Sequence, residues 1–128
     1  MLMREIKFKA RIIETNEVFP VLTIWSDSVC LDMTDSNREW DTQVFSKEDI
    51  ELLQYTGLKD KNGKEIYEGD IVAGVNRLHE CKVEQNVQYL NGCFMFGNWN
   101  AHEFFNKHQF IEVISNIYEN PELLEVQK

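Results

Sequence analysis

The sequence of 128 residues has few cysteines, few prolines and no long apolar run. Its three cysteines, Cys30, Cys81 and Cys93, are odd in number and show no CxxC spacing. This usage favours buried thiols in a reducing cytoplasm over a disulfide framework. No apolar run approaches the ~20 residues of a membrane-spanning helix, and no charged-then-apolar leader opens the chain. We therefore expect a cytoplasmic protein that does not enter a membrane.

Positive charge is also scarce, with 13 Lys and Arg residues against 22 Asp and Glu residues and a formal net charge of −9. A negative field repels nucleic acids and anionic membranes, so the balance disfavours a general binder of either. The length suits one domain that buries roughly two thirds of its unfolded-state surface.

Catalytic motifs are missing as well. The chain contains no GxSxG elbow, no HExxH pair and no GxxxxGK phosphate loop. Its many carboxylates mostly alternate with apolar residues or lie in a predicted first helical turn, which is typical of solvated charges. We predict no catalytic residue, no cofactor and no enzymatic activity.

Two histidines and two cysteines raise the possibility of a zinc site. His79, Cys81, Cys93 and His102 could bring zinc ligands together from two hairpins. They lack the paired spacing of zinc knuckles, and buried thiols with surface histidines explain them more simply. We therefore predict no metal ligand.

Alternating apolar and polar residues are plentiful, and they predict a mainly β fold. Pro20 cannot donate to a ladder, so it indicates an edge strand or a first strand residue. Asn91-Gly92 predicts a hairpin between its flanking strands. The predicted strands are Ile6–Ile12, Val18–Trp25, Val29–Met33, Trp40–Phe45, Cys81–Leu90, Cys93–Phe96 and Phe110–Ile114, the last continuing towards Tyr118.

Two short helices are predicted beside the strands. Ser46 can cap a helix over Lys47–Tyr55, which Gly57 would end in a left-handed conformation. Asn120 before Pro121 predicts a short terminal helix. Ala101–Gln109 fits either a short helix or a loop.

Tight turns fill the segment between these helices. Asn62-Gly63 predicts a type I′ hairpin turn, because both central residues of that turn need positive φ. Gly69 supplies a second permissive turn, and Asp70 can accept a backbone N–H there. Gly57, Asn62, Gly63, Gly69 and Asp70 are thus predicted to be structural.

Three segments resemble one family. Gln54–Val72, reading QYTGLKDKNGKEIYEGDIV, Met3–Phe8 near the start and Val113–Leu124 near the end resemble segments of the YopX-like family of bacteriophage and prophage proteins. The resemblance covers the whole chain as a single domain, 1–128. It implies a β-rich fold containing a small SH3-like barrel with additional hairpins, and homo-oligomerisation, but no activity. We also consider a β subdomain, 1–45, packed on a barrel portion, 46–128.

Lysines and aromatics define a candidate binding edge, because small barrels bind single strands by combining such residues. An ordinary solvated strand face is the alternative, since exposed lysines protect sheet edges. The edge comprises Lys59, Lys61, Lys64, Tyr55, Tyr67 and Trp99.

Aromatic residues also cluster in the second half of the chain. They predict either a protein interface or a well-packed core. The cluster comprises Phe94, Phe96, Trp99, Phe104, Phe105 and Phe110.

Together these features favour a non-enzymatic phage or prophage accessory protein in the host cell cytoplasm. Its expected partner is a second copy of itself, or else a host or phage protein. A nucleic-acid-binding module is the alternative, disfavoured by the acidic charge, and an enzyme without a recognisable site is third.

Overall fold

Antiparallel strands dominate the computed structural model, which describes residues 7–34 and 41–120. The prediction of a mainly β fold is confirmed. Ile6 and Trp40, which begin two of the predicted strands, and the terminal helix predicted from Pro121 lie outside the described residues. No helix in the described ranges is both long and apolar enough to span a membrane.

The first sheet has six strands in the order β4-β3-β2-β1-β5-β6. Their bounds are β1 Phe8–Ile12, β2 Val18–Ile24, β3 Ser28–Asp32, β4 Thr42–Ser46, β5 Ile50–Lys59 and β6 Glu65–Tyr67. The second sheet has five strands in the order β10-β9-β8-β7-β11. Their bounds are β7 Asp70–Asn76, β8 Lys82–Leu90, β9 Cys93–Phe96, β10 Trp99–Asn100 and β11 His108–Asn116.

Both sheets are open in the described part of the chain, so its strands do not close into a barrel. The SH3-like character of the fold stays a prediction. The boundary between the sheets lies between Tyr67 and Asp70, and the predicted division at residue 45 stays a prediction as well.

β2 changes partner along its length. Its first residues pair with β1, ending at Lys9 opposite Pro20, and Val21 to Ile24 pair with β3. The prediction that Pro20 marks an edge or a strand start is therefore wrong, because β2 lies inside the sheet. Pro20 is tolerated where the ladder to β1 ends, since its missing N–H is not needed beyond that point.

The described residues form two hydrophobic clusters, the first within the first sheet and the second mostly in the second sheet, with Ile66 added from β6 of the first sheet. The first comprises Ala10, Ile12, Val29, Leu31, Met33 and Ile50. The second comprises Ile66, Val72, Val87, Phe96, Phe104, Ile111 and Val113, with Phe94, Trp99 and Phe105 packed against it. Most of the aromatic cluster is thus core. Phe110 is the exception, because 63% of its surface is exposed.

The helix predicted over Lys47–Tyr55 is wrong. Ser46 does cap a helix, and its hydroxyl accepts the N–H of Glu48, but the helix is a 3-10 turn of three residues, Lys47–Asp49. The chain then enters β5, where Ile50 to Gln54 pair with β1. Helix-forming residues take the strand conformation here because tertiary pairing and burial outweigh a weak local preference.

Gly57 consequently lies inside β5 rather than at a helix end. Its φ is +86°, and it falls where the register between β5 and β6 shifts, between Tyr55 and Lys59. The positive φ was predicted for the wrong reason, since a β-bulge and not a helix cap requires it.

The two Asn-Gly hairpins differ. Asn91 and Gly92 have φ values of 52° and 85°, as a type I′ turn requires. Gly63 has a φ of 80°, whereas Asn62 is not in the positive-φ region. The hairpin at residues 62–63 is confirmed, but its predicted type I′ turn is wrong.

One α-helix, α1, spans Ala101–Lys107 in the described part of the chain, within the stretch that the sequence left open between helix and loop. The side chain of Asn100 accepts the N–H of Glu103 at 2.8 Å and donates to its carboxylate at 2.8 Å. This reciprocal cap explains why so short a helix begins at Ala101. Phe104 anchors it in the second cluster.

Candidate binding surface

The lysines of the predicted edge lie on the hairpin between β5 and β6. Lys59 stands opposite Glu65 in the ladder, and Lys61 and Lys64 are exposed in the turn. The Lys61 ammonium lies 3.5 Å from the carboxylate of Glu112 in β11. The hairpin therefore carries three cations, one of which is already paired.

Asp60 holds this hairpin in shape and joins it to the second sheet. One carboxylate oxygen accepts the N–H groups of Asn62 and Lys64, each at 2.9 Å, and the other accepts that of Val113 at 2.9 Å. Burial raises the pKa of the Asp60 carboxyl, but these three donors outweigh it and hold the pKa below its ordinary value. Asp60 is a structural anion.

Tyr55 and Tyr67 form a buried pair beneath two other lysines. Their rings lie 5.4 Å apart, and each residue is only 5% exposed. The Lys9 ammonium lies 4.6 Å from the Tyr67 ring centre, and Lys7 binds Glu65 at 2.6 Å. The hydrogen bond to Lys7 lowers the pKa of Glu65, and burial raises that of Tyr67. The two tyrosines thus pack inside the protein.

Trp99 lies in the second sheet, where the centre of its ring is 4.9 Å from the centre of the His108 ring. It lines a cavity of about 460 Å³ together with Arg77, His79 and Lys107. A second cavity, of about 330 Å³, is lined by Lys59, Lys61, Arg77, His108 and Phe110, among others. The structure therefore brings Lys59 and Lys61 of the predicted edge to a cavity that shares Arg77 with the Trp99 cavity.

We call this pair of cavities the Arg77 surface, defined by Lys59, Lys61, Arg77, Trp99, Lys107 and Phe110. Sequence reasoning missed Arg77, Lys107 and Phe110 as members. Arg77 follows β7, and its backbone N–H binds the carbonyl oxygen of Lys107 at 2.8 Å, which fixes the turn against the end of α1. That contact joins positions 30 residues apart, so no local pattern indicates it.

Gly69 and Asp70 form the predicted turn, which lies between the two sheets. Gly69 has a φ of 89°, and the N–H of Tyr67 donates to Asp70 at 2.8 Å. Burial raises the pKa of the Asp70 carboxyl to about 6, opposed by that N–H and by the charges of Lys9 and Lys64. The sequence correctly predicted an acceptor at this position, but its burial was not visible.

Two histidines and two cysteines were considered as zinc ligands, and one of them, His79, lines the Trp99 cavity. His79, Cys81, Cys93 and His102 are all exposed, so the prediction of buried thiols is wrong for Cys81 and Cys93. Within residues 7–34 and 41–120, no group of three or more His, Cys, Asp or Glu side chains is placed to hold a metal ion.

Nearly the whole chain matches one protein family. The family model described as YopX protein matches residues 7–125. The chain belongs to the YopX family. This YopX-family chain matches no curated protein.

Solved structures add a relative of the same fold. The crystal structure of protein EF1440 from Enterococcus faecalis is similar, with a TM-score of 0.65 and 24% sequence identity. The match covers 95% of this YopX-family chain and 99% of the other. At this identity the likeness shows a shared fold.

Proposed function

We propose that this YopX-family protein is a non-enzymatic accessory protein of a phage or prophage that acts in the host cytoplasm as a self-associating module. One observation supports the proposal most directly. β4, at one end of the first sheet, is an exposed edge strand whose five residues include no charge and no proline. Val44 at its centre is 56% exposed.

The other sheet edges differ from β4. β6 carries Glu65 in an ion pair with Lys7, β10 has only two residues, and two register shifts interrupt β11. Charges, short strands and bulges are the usual devices that stop an edge from pairing with another chain. β4 lacks all of them, which supports a pairing role for this edge.

The sequence of β4 suits pairing with its own copy. An antiparallel pair centred on Val44 would place Thr42 opposite Ser46 and Gln43 opposite Phe45, with no charge repulsion inside the strand pair. Such a contact is isologous and closes a two-fold dimer. Backbone hydrogen bonds would supply most of its specificity.

Apolar neighbours would extend this contact beyond the strand. Cys30 of β3 pairs with Val44 of β4 on one side and with Thr23 of β2 on the other. These three side chains therefore share one face of the sheet. Leu22 and Trp25 are also exposed along and just after β2, whereas Ile24 pairs with the buried Val29 and so lies on the opposite face. A stable dimer needs about 1,000 Å² of buried surface, and this apolar area would contribute to it.

The test is the molar mass of the chain by size-exclusion chromatography with light scattering. We expect a mass twice the 15.1 kDa of the chain. Salt should favour the dimer, because it screens repulsion between two copies that each carry a net charge of −9.

Val44→Lys should convert the dimer to a monomer, because a lysine on an edge strand opposes pairing. The control is Leu78→Lys in the turn after β7, where the native side chain is 82% exposed. A wild-type monomer at ~100 µM would overturn the proposal, because a dimer with a micromolar Kd would be largely formed at that concentration. A dimer that survives Val44→Lys would overturn the role of β4.

A further inference from the structure

Phe110 is held in an unusual position on the Arg77 surface. Its φ is 56°, which is rare for a bulky residue, and 63% of its surface is exposed. It lies where the register between β11 and β7 shifts, between Gln109 and Glu112. A bulge re-aims a side chain, and strained residues persist where the surrounding structure imposes them. Here the bulge presents an aromatic ring to the solvent.

Cations surround that ring. Lys59, Lys61 and Arg77 line the cavity that contains Phe110, and Arg77 and Lys107 line the neighbouring cavity that contains Trp99. His108 is buried and connects the two cavities, because it is one of the residues that line the Phe110 cavity and its ring centre lies 4.9 Å from that of Trp99. Arg77 is therefore common to two cavities, one lined by Phe110 and the other by Trp99.

Three acidic groups lie near these cations, and each is already engaged; Glu65 stands opposite Lys59 in the ladder but forms its ion pair with Lys7. Asp60 is buried and directs both carboxylate oxygens to backbone N–H groups. Glu112 pairs with Lys61 and also accepts from the Asn62 amide at 3.4 Å. Within the described ranges, no carboxylate lies at ion-pair distance from Lys59, Arg77 or Lys107. The surface is locally positive on an acidic protein.

We propose that the Arg77 surface binds a short stretch of single-stranded nucleic acid, a function separate from self-association through β4. One base stacks on Phe110 and a neighbouring base enters the Trp99 cavity. The phosphate between them contacts the Arg77 guanidinium, and Lys59, Lys61 and Lys107 contact the adjoining phosphates. An alternation of aromatic ring and cation matches the alternation of base and phosphate in a single strand.

The net charge of −9 restricts what this surface accepts. A duplex hides the faces of its bases and brings a dense phosphate charge towards the acidic remainder of the protein. An extended single strand exposes its bases and needs to touch the protein only at the positive surface. Acidic side chains would satisfy the cations but offer no aromatic base to stack on the exposed ring.

The experiment measures fluorescence anisotropy of a labelled oligothymidylate of about ten nucleotides at low salt. A duplex of equal length and a labelled polyglutamate peptide are the two other ligands. We expect the single strand to bind most tightly and its affinity to fall as salt rises. Phe110→Asn and Arg77→Gln should each weaken binding about tenfold.

Phe110→Asn also separates a binding role from a structural one. Asn tolerates positive φ better than Phe, so the variant should keep or raise the melting temperature while it loses affinity. Lys82→Gln is the matched charge control, since it removes a cation that is 69% exposed on β8, outside the surface. It should bind like the wild type.

Three results would overturn the proposal. The first is no binding of the single strand at low salt. The second is unchanged affinity in both Phe110→Asn and Arg77→Gln. The third is equal or tighter binding of polyglutamate, which would assign the surface to an acidic protein partner. None of these results depends on the oligomeric state of the chain.

Discussion

Asp70 is a buried carboxyl whose protonation is coupled to folding. Its pKa of about 6 in the folded protein lies above the ordinary value of 3.8. The folded state therefore holds the proton more tightly than the unfolded state does. The contribution of Asp70 to the free energy of unfolding is fully present below about pH 4. It is lost as the pH rises through about 6.

Replacing Asp70 with Asn should remove that pH dependence. Asn keeps a side-chain oxygen for the N–H of Tyr67 and is neutral at every pH. The rise of the Asp70 pKa from 3.8 to about 6 corresponds to about 3 kcal/mol, so the variant should be more stable by up to that amount at about pH 7.5. The gain should vanish near pH 4. Urea unfolding of both chains across this range measures it, and a gain independent of pH would contradict the assignment.

The sequence predicts which residues form this turn, but it does not predict how far Asp70 is buried or how strongly its pKa is shifted. The Gly-Asp pair correctly indicated a turn with a side-chain acceptor, because that geometry is local. The burial of Asp70 depends on β7 lying between β8 and β11, and the strain at Phe110 depends on a register shift between β11 and β7. Such properties arise from pairings between distant strands, so the periodicity of one segment does not show them.

At the scale of the element, glycines in different surroundings should respond differently to a methyl group. A Cβ at Gly57 would meet nothing within 4 Å, whereas a Cβ at Gly69 would lie 2.7 Å from the Tyr118 ring. That ring is held by its hydroxyl on Glu51 at 3.0 Å and by Arg11, 4.8 Å from the ring centre. It cannot move aside freely.

Gly57→Ala should therefore destabilise the protein by about 1 kcal/mol, the usual effect of positive φ on an L-residue. Gly69→Ala should cost about 2–3 kcal/mol, because a steric clash is added to the same backbone strain. Urea unfolding of the two variants compares the costs directly. Equal losses would mean that the Tyr118 ring yields without resistance.

β5 shows why elements are harder to predict than turns. Its residues Glu51 to Gln54 favour a helix locally, yet they lie between β1 and β6 in the sheet. The hairpin across Asn91-Gly92 was predicted correctly because its strands adjoin in sequence and its turn chemistry is specific. β5 pairs with β1, which lies about 40 residues earlier in the chain, and no pattern within β5 itself predicts that pairing.

At the scale of the molecule, Asp60 joins the two sheets. Asp60→Asn leaves one oxygen where two are needed and turns an NH₂ group towards a backbone donor. We expect a loss of about 2–3 kcal/mol at neutral pH, since hydrogen bonds to a charged group are broken in a buried place. Because the pKa of Asp60 lies below its ordinary value, the loss should shrink as the pH falls towards that pKa.

Amide hydrogen exchange locates this effect. The amides of Val113, Asn62 and Lys64 should exchange faster in Asp60→Asn, because each loses its acceptor. Amides of β2 and β3 serve as internal controls, since they make no contact with Asp60. Unchanged exchange at Val113 would show that the link between the sheets does not depend on this carboxylate.

The division of the chain into two consecutive sheets also sets an order of events during synthesis. Every strand of the first sheet is made before β7 emerges from the ribosome, so that half can assemble while the other is still being translated. Asp60 and Val113 are 53 residues apart. At about 5–20 residues per second, Val113 follows Asp60 by roughly 3–10 s. The nascent first sheet must therefore remain free of other chains during that interval, with its uncharged β4 edge already formed.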